Sequence, residues 1–181
     1  MEPANALPTP GHGKPNVWDL MFLLLLATCL LGAAYVGVLA YREGVKTEVS
    51  KRNGEAWLEW LASQSVDRAQ SGYTVEACAA RPGATWGVCE AWLLGEGGPM
   101  QPQRNAYSDG PIQITATCGG ADRTVAGRIA LERVTPLPPG AAVPFTVGPL
   151  VAGDSIEQKV TIRVSVCNKD ASAIRVGEVD F

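Results

Sequence analysis

The chain has 181 residues, 46% of them hydrophobic and 18% charged, with 15 basic against 18 acidic groups and a formal net charge of -3. That is enough apolar material for one folded domain plus an appendage, and too little charge for a disordered chain. There is no basic excess to neutralise phosphates, so no nucleic-acid partner is expected. The single histidine, His12, lies at the far N-terminal end, which leaves no imidazole in the body for a zinc site or a catalytic relay.

Met1 to Asn16 carry four prolines and two glycines with few apolar residues, so residues 1–16 are expected to form an extended arm. Leu20 to Tyr41 then run for 22 residues without a charge. At 1.5 Å rise per residue such a helix is roughly 33 Å long, enough to cross a hydrocarbon core of about 30 Å. Trp18 and Tyr41 bracket it where aromatic rings favour the headgroup region. A cleaved secretory signal has a shorter apolar core, and a lipidated Cys29 would sit in the middle of the membrane. A retained transmembrane helix over residues 17–41 is therefore the expected reading, with membrane lipid as its surroundings. Cys29, Ala33 and Gly37 recur every fourth residue, and Thr28 and Gly32 adjoin them, which makes a face of small side chains where a second helix can approach closely. Other transmembrane subunits, or copies of this chain, are the expected partners. Asp19 stands at the membrane edge as a helix-start carboxylate or an interface residue.

Two signals for orientation oppose each other. Arg42, Lys46, Lys51 and Arg52 follow the span and only Lys14 precedes it, which favours a cytoplasmic body. Cys78, Cys89, Cys118 and Cys167 form an even set without a CxxC pair, which suits two disulfides in an oxidising compartment. Because the charge rule weakens for long translocated domains, an exported, periplasmic head anchored in the cell (inner) membrane is expected. Four cysteines allow three pairings; Cys78 with Cys89 and Cys118 with Cys167 is the simplest.

Residues 42–70 contain no proline and space Val45, Val49, Trp57, Leu58, Leu61 and Ala62 at three- and four-residue steps, so an amphipathic helix should continue from the span, with Gly54 as its weak point. The remainder, 71–181, is expected to be a disulfide-containing, β-rich head. Ile112 to Cys118 alternate in polarity, Val125 to Val134 read as a second strand, Lys159 to Val166 alternate clearly, and Ile174 to Val179 form another; a short strand is expected near Phe145 to Val147 within the proline-rich stretch Thr135 to Gly153. A sheet with one apolar face needs a cover, and the amphipathic helix is the long element available. The expected fold is α+β: a transmembrane helix running into an amphipathic helix packed on a small antiparallel sheet.

The chain has no Gly-rich phosphate loop, no metal-ligand spacing and no N-x-Ser/Thr sequon, so no enzyme, cofactor or metal is expected. Glu55 and Glu59 at helical spacing read as a solvated face. Trp57 and Trp60 are candidates for a subunit interface or a ligand groove, or for packing of helix against loop. The layout, an arm, an apolar helix running into an amphipathic one, a cysteine-containing loop and a sheet with a late cysteine, resembles type IV pilins and pilin-like proteins. That resemblance implies Gly13 as a peptidase cleavage residue and Asp19 as the acid that neutralises a neighbour's amine, sixth in a chain beginning at Lys14 where the family has its acid fifth. The expected function is a non-enzymatic structural or accessory subunit of a membrane assembly, with a pilin-like filament subunit and a membrane-anchored ligand sensor as alternatives.

Overall fold

The computed structural model describes residues 16–119 and 123–181, so the N-terminal arm and Gly13 lie outside the described residues. Helix α1 spans Val17–Ser65. Asn16 precedes the first helical residue, and its backbone N–H donates to Asp19 Oδ2 at 3.2 Å, the side-chain-to-backbone half of a capping box. The helix stops five residues short of Gln70 because the Gln64 carbonyl accepts from both Asp67 N and Arg68 N, which curls the chain into a turn. By backbone contacts the chain divides between Tyr41 and Arg42 into two units.

In the unit Arg42–Phe181 a short 3-10 turn, Glu76–Cys78, precedes helix α2, Trp86–Leu94. Five strands follow: β1 Ile114–Thr115, β2 Ile129–Pro136, β3 Phe145–Pro149, β4 Thr161–Cys167 and β5 Ala173–Asp180. The sheet order is β1-β2-β4-β5, and β3 pairs with the second half of β2 beside β1. The sheet is mixed rather than purely antiparallel, since β1 runs parallel to β2 with Ile114 opposite Ile129. The expected strand at 112–118 shrinks to two residues because the chain turns off toward the Cys118 disulfide. The expected strand from Val125 begins only at Ile129, after a 3-10 turn at Arg123–Val125 and a left-handed Gly127, whose missing Cβ makes room for Asn105.

Alternation decides which face is core. Ile129 pairs with Val166 and Leu131 with Val164, Ile162 lies on the same face opposite Arg133 and Val179, and these five buried apolar residues share one cluster with Trp57 and Leu61 of α1 and with Trp86 and Leu93 of α2. The α1 residues buried there are Ser50, Gly54, Trp57 and Leu61. The helix runs unbroken through Gly54, which lies where helix and sheet approach closely. Val45, Val49 and Ala62 of the expected apolar stripe are instead exposed. On the opposite face the row Glu132, Arg163 and Glu178 is polar, with Arg163 Nε and Arg175 Nη2 both on Glu178 Oε1, at 2.7 and 2.8 Å.

Candidate functional site: the anchor face, the helix clamp and the Arg68 cavity

Within the described residues, α1 is the one helix long and apolar enough to cross a membrane; its apolar window has a mean hydropathy of 2.4 and no buried residue. Every residue from 17 to 41 is exposed. A backbone hydroxyl bond satisfies Thr28 internally, Oγ1 donating to the Leu25 carbonyl at 2.8 Å, so this polar group is compatible with lipid. Cys29 is a free thiol, and a Cβ added at Gly32 or Gly37 would meet nothing within 4 Å. Helical spacing places Cys29, Ala33 and Gly37 on one face, open to approach. Asp19 serves the helix start through its bond with Asn16.

Of the alternatives open for the tryptophans, Trp57 takes the packing one. Trp57 has no exposed surface, and its Nε1 donates to Gln103 Oε1 at 3.1 Å. Extracting it for a partner would forfeit burial on the order of 3–5 kcal/mol, so it is core, not interface. Trp60 is half-buried, its ring 6.1 Å from Trp92 and 6.2 Å from Phe181. Trp92, 38% exposed, lies with exposed Val88 and Ala91 on the outer side of α2. That α2 carries apolar residues on its outer side as well as its buried side was not evident from the sequence, where this segment reads only as a loop or short helix.

Two disulfides join Cys78 to Cys89 and Cys118 to Cys167. The first ties the 3-10 turn to α2, so the segment after α1 is fixed against the cluster around Trp86. The second ties the loop after β1 to the end of β4, where Val125, Cys167 and Ala171 form a small separate core.

A set of polar contacts missed by sequence reading clamps the loop 103–107 along α1. Tyr107 OH and Thr47 Oγ1 are 3.1 Å apart, Asn53 Nδ2 donates to the Arg104 carbonyl at 2.9 Å, and Lys46 Nζ lies 5.4 Å from the centre of the Tyr107 ring. Glu43 adds a 3.7 Å ion pair to Lys169. With Trp57 to Gln103, these contacts spread over residues 43–57 of α1 and tie the loop to that stretch of the helix. Nothing in residue spacing announces them, because the partners lie more than 45 residues apart.

The turn after α1 carries Arg68, 3% exposed. Its Nη2 donates to the Ile156 carbonyl, its Cζ lies 4.1 Å over the Phe181 ring, and Nε and Nη1 are buried without a partner. Burial lowers its pKa, opposed by the nearby Tyr73. Arg68 forms part of the wall of a cavity of about 300 Å³ together with Ala69, Glu157, Lys159 and Asp180. The acids there are already engaged: Glu157 Oε1 accepts from Gly83 N at 2.6 Å, and Asp180 accepts from Lys159 Nζ at 2.8 Å and Thr161 Oγ1 at 2.7 Å.

Among the described residues no three His, Cys, Asp or Glu side chains come together as a metal site. Comparison of the chain with family models, curated proteins and solved structures finds no match to any of them.

Proposed function

We propose that the chain is a non-enzymatic, single-pass membrane subunit with an exported α+β head, which acts by packing into a larger assembly. The observation that carries this reading is α1 itself: one 49-residue helix supplies an apolar, wholly exposed run and, further along, the buried seam Ser50, Gly54, Trp57 and Leu61 of the head. The two disulfides favour an oxidising compartment for the head and outweigh the Lys and Arg bias after the span, which is a poor guide for long translocated domains.

Gentle detergent extraction followed by a native gel tests the proposal. Migration with a complex much larger than one chain supports it, and migration as a lone chain contradicts it. The same helix-on-sheet arrangement also favours a pilin-like subunit as a second reading. N-terminal sequencing of assembled material separates the two: a start at Lys14 supports the pilin-like reading, whereas an intact arm supports the accessory subunit.

A further inference from the structure

We infer that the outer edge of β3 docks a second copy of this chain, whose own β3 pairs with it antiparallel across a two-fold axis at Thr146. The run from Val134 to Gly153 carries no charge, and within it Val143, Phe145 and Val147 are exposed. β3 pairs with β2 alone, so among the described residues its other side is a free strand edge. Leu137 N donates to the Pro144 carbonyl and Leu150 N to the Leu131 carbonyl, which fixes the alternation of the ladder. Thr146 and Gly148 face inward to β2, while the N–H and C=O of Phe145 and Val147 point outward. Such an edge accepts another strand unless charge or a bulge blunts it. At the far side of the sheet β5 is blunted in both ways, by Arg175, Glu178 and Asp180 and by its register shift. β3 has neither. A second copy fits because the edge is complementary to itself. With Thr146 on the axis, Phe145 meets Val147 of the other copy, each outward N–H of this pair finds a carbonyl, and each aromatic ring lies beside a β-branched side chain. A register centred on Phe145 would draw on Val143, where the chain bends, and one centred on Val147 would need an N–H from Pro149.

This pairing stands on the sheet edge and does not rest on the anchor reading. Its test is oxidative cross-linking of the full chain in native membranes with copper phenanthroline. Across the axis the two Thr146 Cα atoms would stand about 4.5 Å apart, within disulfide reach. Gly148 would lie opposite Pro144 of the other copy, which puts the two Gly148 Cα atoms more than about 10 Å apart. Thr146→Cys is therefore expected to give a disulfide-linked dimer in excess of the background that wild type and Gly148→Cys share through the free Cys29. Thr146 is exposed, and a Cβ added at Gly148 meets nothing within 4 Å, so both variants keep the fold. Val147→Lys, at an exposed position, charges the edge and should abolish the excess dimer of Thr146→Cys while the head still unfolds cooperatively in detergent. Four results would each overturn the inference: no excess dimer in Thr146→Cys, an equal dimer in Gly148→Cys, an excess that persists with Val147→Lys, or a cross-linked band of another mass, which would make the occupant a strand of a different protein.

Discussion

Gly54 of α1 faces Val176 of β5 so closely that a Cβ on Gly54 would lie 2.7 Å from Val176 Cγ2 and 2.8 Å from Val166 Cγ1. Val176 is the extra residue where the β4-β5 register shifts, so a bulge in the sheet and a missing side chain in the helix meet at one point. A second close approach lies alongside, where Gly177 accommodates Leu58. Gly54→Ala should therefore destabilise the head by up to about 2 kcal/mol, because overpacking of about 1–3 kcal/mol is set against a gain of about 1 kcal/mol in helix propensity. Gly44→Ala, with open space around it, should be neutral or stabilising by up to about 1 kcal/mol. Denaturant unfolding of the two variants side by side reads the difference; equal effects would remove the close-packing account.

The layered fold was legible from the residues because Val160, Ile162, Val164 and Val166 alternate strictly and all prove buried. The covering helix was legible in place, and at Trp57 and Leu61 in orientation, but not along its first half. Apolar spacing selects Val45 and Val49, whereas the buried seam runs through Ser50 and Gly54, residues chosen for smallness that no hydrophobic pattern detects. A strand was expected where β1 lies, but its reduction to two residues and its parallel pairing with β2 were not legible, because alternation over Ile112 to Cys118 says nothing of where pairing stops or of strand direction. The Arg68 cavity escaped because Arg68 is brought to Ile156 and Phe181 by the turn after α1, across a separation that the sequence does not encode locally.

Alkylation of the denatured but unreduced protein should modify one cysteine per chain, Cys29, and peptide mapping should recover Cys78 linked to Cys89 and Cys118 linked to Cys167. Reduction should then lower stability by about 2–4 kcal/mol per bridge. Four further alkylated thiols before reduction would contradict both the linkage and the exported head.

Glu90 gives a pH signature of definite sign. Burial raises its pKa above the ordinary 4.5, and the hydrogen bond from Trp86 Nε1, at 2.7 Å, only partly offsets this. The folded carboxyl thus holds its proton more tightly than the unfolded one. Its contribution to stability is complete below the ordinary value and is lost as pH rises through the elevated folded value. Glu90→Gln keeps an acceptor for Trp86 and removes the titration, so the variant should gain on the wild type as pH rises from about 4 to about 7. Unfolding midpoints that keep a constant difference over that range would show that Glu90 is not so buried.

Ala33→Leu and Gly37→Leu test the small-residue face. Each should weaken co-purification with partner subunits while leaving the head's unfolding midpoint unchanged, because residues 17–41 are exposed and a bulky side chain there obstructs helix approach alone. Unaltered co-purification in both variants would make this face ordinary lipid-facing surface.

The most direct measurement is labelling of sealed membrane vesicles of known orientation with a membrane-impermeant amine reagent. Lys159 and Lys169 are suitable reporters on the head, with side chains 71% and 60% exposed. A single-pass anchor with an exported head predicts that both are labelled in right-side-out vesicles and protected in inverted ones. Labelling confined to inverted vesicles would place the head in the cytoplasm and contradict the account.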